Sequence, residues 1–484
     1  MSNVQSTSRS ATSRSASPKS ASPSLTFLVL AVGAASFAML QSLLAPVLPT
    51  LQSELNTSQS AVSWVLIAWL LSAAVATPIL GKVGDMIGKA KTLVLALAAI
   101  GLGSLIAALA PSIELVIAGR IVQGLGGAIV PLSFGIIRDE FPPARVPSAV
   151  GILSAVIAVG SGVGTILAGP IVDLFGWHGL FWVPLAVVAI TATLAQFFVP
   201  ESPVKAGGTI NWLAAALLAA WLIALLLPLS LGTRWGWGSP AVIGLFALAV
   251  VLAAAWVTVE VRSSNPVIDM KMMRLPAVWT SNLVALLFGA AMFAVWVFLP
   301  QLIQVPSSAG YGFGATVSEA GWVMLPMLVS MAVAGVFSGR LARVVPFKLQ
   351  LAGASAVIAL SCVALAMLHA SIWEVAVISG VYGIGLGLAY AALTSVIVQN
   401  VPASQTGTAI GMNANIRTIG GAIGTAVMTA VVTAHHTADG VPEEAGFVTG
   451  FLLFAGVAAL AMVVSLLIPG AQRQQATAVL APAE

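Results

Sequence analysis

Residues 149–165 read AVGILSAVIAVGSGVGT, and residues 409–425 read AIGMNANIRTIGGAIGT. Laid over one another, they match Gly151 with Gly411, Gly160 with Gly420, Gly164 with Gly424 and Thr165 with Thr425, at a constant shift of 260. The same shift carries Glu114 onto Glu374 and Pro142 onto Pro402. A duplication of so long a period in an apolar chain points to two related helix bundles. Membrane bundles built from two such repeats are those of secondary transporters, with a substrate path between the halves.

The composition places both repeats in a membrane. Hydrophobic residues make up 59% of the 484 positions and charged residues 7%, where a soluble domain carries about 25% charged residues. Crossing a bilayer takes about 20 apolar residues. Fourteen stretches qualify: 25–49, 59–80, 92–110, 113–137, 147–169, 178–199, 209–230, 239–260, 277–300, 317–339, 349–369, 373–398, 404–432 and 447–469. The fold class expected is therefore an all-α integral membrane protein, a pair of six-helix bundles with two further helices between them. Spans seven and eight have no counterpart under the 260 shift, so they read as inserted. The domains expected are a disordered cytoplasmic tail at 1–24, a first bundle at 25–200, the two additional spans at 208–262, a second bundle at 275–469 and a tail at 470–484.

Charge orients this arrangement. With both termini in the cytoplasm, sixteen of the nineteen Lys and Arg residues fall inside and Arg234 alone falls outside, as the positive-inside rule requires. The basic balance thus concerns orientation in a cell membrane (inner or plasma membrane), and no nucleic-acid partner is expected. Arg120 and Arg417 remain within spans. The Ser-rich, acid-free N-terminus has a signal peptide as its rival reading, but the apolar stretch from Leu25 exceeds a typical h-region of about 7–15 residues. Trp235 and Trp237, in the loop between spans seven and eight, fit interfacial anchors.

Three features carry chemistry. The first is the segment Gly81-Lys82-Val83-Gly84-Asp85-Met86-Ile87-Gly88-Lys89-Ala90-Lys91, read as a tight glycine-permitted turn. Asp85 is its one acid. It can pair across the bundle with Arg138 or Arg145, or face a helix N-terminus, and so hold the cytoplasmic side shut; the same residues also fit a solvated basic loop. The gate expected from them comprises Gly81, Asp85, Gly88, Lys89, Arg138 and Arg145. In the second half, Gly339-Arg340-Leu341-Ala342-Arg343 is a near-copy with Arg343 in place of the acid, which confines the lock to the first half. The second feature is Gly160, Gly164 and Ala168, four residues apart on one helix face, where small residues allow close backbone approach. Static packing and a sliding contact both remain open. The third is Arg120, with Gln123 and Gly124 on the same face. A charge at mid-membrane costs about 2.5–3.5 kcal/mol on insertion scales, so Arg120 must meet a partner or water. Arg417, with Asn413 four residues before it, poses the same question. Glu319 and Glu374, in Thr316-x-x-Glu319 and Ser371-x-x-Glu374, fit capping boxes.

These motifs resemble the major facilitator superfamily. The 81–91 segment is similar to its loop signature G-x-L-a-D-r-x-G-r, with Met86 in place of the usual Arg. Arg120 to Ala128 resembles R-x-x-Q-G-x-g-x-a. Gly151, Gly160, Gly164 and Gly169 resemble the antiporter signature of span five, with Thr165 where that signature has Pro. Fourteen spans resemble the 14-spanner drug:proton antiporter branch. The resemblance implies alternating access, a small-molecule substrate, export of drugs or other small organic molecules, and protons as the coupling ion. The branch also carries an Asp in span one. This chain has Leu40 at that position, with Gln41 beside it. The substrate and coupling candidates are Gln41, Arg120, Gln123, Asn413 and Arg417.

Other classes lack a basis in the sequence. The four His residues and the single Cys362 form no metal spacing. No nucleotide-binding domain and no cofactor motif is found, so an enzyme is not expected. An uncoupled or uptake facilitator and a non-transporting membrane sensor remain as alternatives.

Overall fold

The structure is a computed structural model that describes residues 23–44, 47–202, 209–402, 405–434 and 442–469. The expected tails, Lys205, His435 and His436 lie outside these, apart from Pro23 and Ser24, which open the first helix. The architecture is all-helical, in the order α1 (Pro23–Ser42), α2 (Leu48–Glu54), α3 (Gln59–Ile87), α4 (Lys89–Ala108), α5 (Ile113–Gly124), α6 (Ile129–Glu140), α7 (Val146–Phe175), α8 (Gly179–Phe198), α9 (Trp212–Trp235), α10 (Pro240–Arg262), α11 (Met270–Met273), α12 (Pro276–Gln304), α13 (Val317–Leu341), α14 (Phe347–Met367), α15 (Ile372–Asn400), α16 (Thr406–Thr433) and α17 (Glu444–Ser465). Among the described residues, fourteen helical segments are long and apolar enough to cross a membrane, α5 and α6 together making one of them.

The packing repeats as the sequence does. In the first half α1 lies on α7 and α8, α4 on α5 and α8, and α3 on α5. In the second half α12 lies on α16 and α17, α14 on α15 and α17, and α13 on α15. The crosswise contacts repeat too, α7 against α13 and α16 against α3. Of the additional helices, α9 packs on α3 and α16, along the line where the halves meet, while α10 packs mainly on α9. The rings of Trp221 and Trp256 join that pair at 5.8 Å.

Three boundaries differ from those read in the sequence. The turn read over 81–91 narrows to a single residue. Helix α3 continues through Gly81, Gly84 and Asp85 to Ile87, and the chain reverses at Gly88 alone, at φ 127°, a value that L residues with a side chain rarely take. Gly81 and Gly84 serve packing: a Cβ on Gly84 would strike Leu132, and one on Gly81 would sit 3.0 Å from the carbonyl oxygen of Gly407. Span one divides into α1 and α2, and Pro49 stands in the first turn of α2, where its missing N–H costs no hydrogen bond. Span four is interrupted by a 3-10 turn, Leu125–Ala128. There Ser72 Oγ donates to the carbonyl of Ile121 at 2.6 Å, the acceptor that the Leu125 N–H would use in an α-helix. Both capping boxes form, at Thr316–Glu319 and Ser371–Glu374.

Candidate functional site

The glycines of α7 fall into three settings. A Cβ on Gly160 would lie 2.7 Å from the carbonyl oxygen of Ala35, and one on Gly164 would lie 2.5 Å from that of Met39, both on α1. Ser42 Oγ donates to the carbonyl of Ser161 in the same crossing, at 2.5 Å. Their counterparts Gly420 and Gly424 press more closely still on Leu286 and Ala290 of α12. These are contacts within a half. Gly151 instead faces the other half, a Cβ there lying 2.5 Å from the carbonyl oxygen of Gly335 on α13. Its counterpart Gly411 faces Thr77 and Pro78 of α3. Gly169 has open space around it.

At the end of the molecule where the basic residues collect, the halves are joined by a buried polar cluster. Asp85 and Lys89 are both 0% exposed. One carboxylate oxygen of Asp85 accepts from Thr408 N at 3.2 Å and from Thr408 Oγ1 at 3.1 Å. It thus seats a negative charge at the N-terminus of α16, where unpaired amides and the helix dipole favour it. Lys89, one turn on, lies 3.7 Å from Asp85 and 2.6 Å from Asp139. Asp139 also accepts from Ser202 Oγ. Arg138, half-buried, donates to Thr406 Oγ1 at 2.6 Å. Of the partners expected for Asp85, the helix N-terminus is the one it meets. Arg138 serves the same helix start through Thr406, and Arg145 is exposed at the start of α7. Arg343, the counterpart of Asp85, is likewise exposed.

Further groups in this cluster were not singled out from the sequence. Glu201 accepts from the amides of Ala90 at 3.2 Å and Lys91 at 3.3 Å, which caps α4 next to Gly88. Glu260, only 2% exposed, accepts from Trp256 Nε1 at 3.1 Å and from the amides of Val267 at 2.9 Å and Ile268 at 3.1 Å. The segment it anchors continues to Asp269, which accepts from Gln405 Nε2 at 3.4 Å, beside the start of α16. Thr406 and Thr408 gave no sign in the sequence, since the 260 shift places them on Val146 and Ser148. Asp139 had one sign, adjacency to Arg138.

Near mid-membrane the two arginines differ. Arg120 is 0% exposed. Its Nε donates to the carbonyl of Val65 at 3.0 Å, and its Nη1 donates to the carbonyl of Leu40 at 3.4 Å and to Gln123 Oε1 at 2.7 Å. Gln123 in turn donates to Ser104 Oγ at 2.8 Å, and the guanidinium lies over the Trp69 ring at 5.2 Å. Arg120 therefore meets partners and not a wet cavity. Those partners are main-chain and amide oxygens, which satisfy Nε and Nη1 without neutralising the charge, and the buried Nη2 has no hydrogen-bond partner among the described residues. At position 40 it finds a carbonyl alone. Gln41, the next residue, is half-buried.

Arg417 is half-buried. Its Nη2 donates to Tyr390 Oη at 2.9 Å, and its guanidinium lies 4.3 Å from the Tyr390 ring centre. Asn413 points elsewhere, donating to Asn282 Oδ1 at 2.9 Å within the second half. Asn415 crosses to the first half, donating to the carbonyl of Ala74 at 2.5 Å. Thirteen of the fifteen acids are described, and each stands near a helix end or in a connection, so Arg120 and Arg417 are the mid-helix charges among the described residues.

Comparison with known proteins gives a consistent picture. The Major Facilitator Superfamily profile matches residues 30–214, 205–425 and 283–481. The chain is 30% identical to the Methylenomycin A resistance protein of Streptomyces coelicolor, over 77% of this chain and 78% of that one. It is 28% identical to the Tetracenomycin C resistance and export protein of Streptomyces glaucescens, over 82% and 74%, and 26% identical to Multidrug resistance protein 3 of Bacillus subtilis, over 81% and 76%. Among solved structures it is similar to the human organic anion transporter MFSD10, with a TM-score of 0.66 at 17% identity over 91% of this chain and 99% of that one. It is also similar to the proton:xylose symporter XylE, with a TM-score of 0.66 at 13% identity over 91% and 94%.

Proposed function

Because this chain belongs to the Major Facilitator Superfamily, we propose that it exports small organic molecules across the cell membrane by alternating access. It is a multi-pass membrane transporter of the drug:proton antiporter type. The basic end is assigned to the cytoplasm, with both termini there. The moving bodies are assigned to residues 25–200 and 275–469, with 208–262 as an accessory pair.

The observation that carries this reading is the closure at the basic end. Asp85 caps α16 from the opposite half, Lys89 ties Asp85 to Asp139, and Arg138 holds Thr406. Close glycine crossings accompany it, Gly81 on Gly407 and Gly151 on Gly335. The cross-half hydrogen bonds described above run from this end to mid-membrane and no further. Such an arrangement is one limb of an alternating cycle, sealed towards the cytoplasm. Gly81, Asp85, Gly88, Lys89 and Arg138 are assigned to that gate. Arg145 stands outside it.

Proton exchange is proposed as the coupling, on the likeness to resistance proteins and on the glycine signature of α7. Uncoupled passage is the second reading, favoured by the lack of any carboxylate at mid-helix among the described residues. The test is purified full-length protein in liposomes carrying a pH dye and a fluorescent drug. Drug flux with opposed proton flux supports antiport, and drug flux without it supports the second reading. No flux with any compound of a broad panel would refute transport.

A further inference from the structure

The mid-membrane charges indicate the kind of cargo. Arg417 lies eleven residues along α16 and Tyr390 ten residues from the end of α15. At about 1.5 Å per residue both stand about 15 Å or slightly more from the basic end, the middle of a hydrocarbon core about 30 Å thick. Helix α16 packs on α3 and α15 on α7, both across the halves, and Asn415, two residues before Arg417, donates to the carbonyl of Ala74 on α3. The Arg417–Tyr390 pair therefore sits on the seam that alternating access opens and closes.

Arg417 is also chemically unfinished. A guanidinium carries five N–H donors, and its hydrogen bond to protein among the described residues goes to Tyr390. It has no ion-pair partner there, and no acid stands at mid-helix to supply one. Stacking on Tyr390 fixes the plane of the fork, which suits a carboxylate, sulfonate or phosphate. Arg120 cannot play this part, since it is wholly enclosed within the first half, its Nε and Nη1 held by Val65, Leu40 and Gln123 and its free Nη2 reached by no open path. A permanent cation at the seam would meet the uncompensated positive charge of Arg417 and no mid-helix carboxylate among the described residues.

We propose that Arg417, oriented by Tyr390, is the anion-recognition element of the substrate path, and that the cargo is a small organic anion with an apolar body. This rests on the transporter reading above. Tyr390 acts as a positioning residue that holds the guanidinium towards the seam.

The test uses three isosteric probes with the full-length protein in lipid nanodiscs: 1-naphthalenesulfonate, neutral 1-naphthalenesulfonamide and trimethyl-1-naphthylammonium. Equilibrium binding is measured first and liposome flux second. The unaltered protein is expected to bind the sulfonate at least 10-fold more tightly than the ammonium. Arg417→Gln is expected to remove that preference while keeping the affinity for the sulfonamide, which reports an intact fold. Arg417→Lys should retain part of the preference, and Tyr390→Phe should weaken sulfonate binding about 3-fold or more. Equal binding of sulfonate and ammonium, binding of none of the three, or a preference unchanged in Arg417→Gln would overturn the proposal. Sulfonate binding without flux keeps the anion site and refutes transport; ammonium flux that ignores Arg417 keeps transport and refutes the anion site.

Discussion

Asp85 shows how much one carboxylate can hold. It is buried, it belongs to the first half, and its hydrogen bonds go to the first turn of a helix in the second. Hydrogen bonds to a charged group contribute about 1.5–3 kcal/mol where a neutral pair gives about 1. Asp85→Asn should therefore shift the balance away from the sealed state by a factor of about ten or more and lower transport at equal expression, while membrane insertion is retained. Transport at the unaltered rate would remove Asp85 from the gate. Lys89→Met is expected to be the harsher change, because it leaves Asp85 and Asp139 buried without a common cation, and unpaired buried charge costs about 3–5 kcal/mol. Thermal unfolding in detergent should register that loss as a lower midpoint.

Among the elements, α7 separates two uses of glycine that share one sequence pattern. Gly160 and Gly164 bed α7 on α1 of the same half, whereas Gly151 bears on α13 of the other. Overpacking a close contact costs about 1–3 kcal/mol. Gly164→Leu should accordingly lower the unfolding temperature and transport together. Gly151→Val should lower transport with little change in unfolding temperature, because its clash exists only when the basic end is sealed. Equal thermal penalties for the two would erase the distinction. The end of α10 supplies a second case. Glu260 clasps the amides of Val267 and Ile268, and the segment it holds brings Asp269 to Gln405 at the start of α16. Glu260→Gln keeps the shape but turns an acceptor-only group into one with donors facing donors. Trypsin cleavage after Lys271 and Arg274 should become faster, and unchanged cleavage would count against the clasp.

At the scale of the whole molecule, the distribution of charge sets both orientation and energetics. The native Cys362 is buried, so in a background lacking it an introduced cysteine can report sidedness. Arg343→Cys should label with an impermeant thiol reagent from the cytoplasm only, and Arg234→Cys from outside only. The reverse pattern would invert the assigned topology. If the cargo is an anion, its departure from a negatively charged interior is downhill by about 2.3 kcal/mol per 100 mV, about a 50-fold ratio. An imposed potential alone, with no pH gradient, should then drive 1-naphthalenesulfonate efflux from oriented liposomes. Efflux under that potential with protons carried inward in step would support antiport, because an anion leaving and a proton entering together move two positive charges inward.

Much of this fold was legible in the sequence because the membrane makes local signals strong. Unpaired backbone in hydrocarbon is so unfavourable that a long apolar run has to be helical, and the constant shift of 260 implied two like bundles before any contact was known. The positions of Arg120, Arg417 and the cluster around Asp85 were legible for a related reason: charge is rare there and stands out. What pairs with them was not, because it depends on which helices cross. Thr408 lies more than three hundred residues from Asp85, and its place over that carboxylate arises only where α3 and α16 meet. The glycines Gly160 and Gly164 read as one face and do meet one neighbour, α1, whereas Gly151, outside that ladder, bears on α13. Segment 81–91 read as a turn because glycine permits one, and the reversal falls within it but at Gly88 alone; Gly81 and Gly84 stay in α3, where they are pressed by Gly407 and Leu132. Sequence determined the membrane spans, their number and the residues that could not be inert; tertiary structure decided their partners, since a partner is a property of two surfaces and a sequence records each alone.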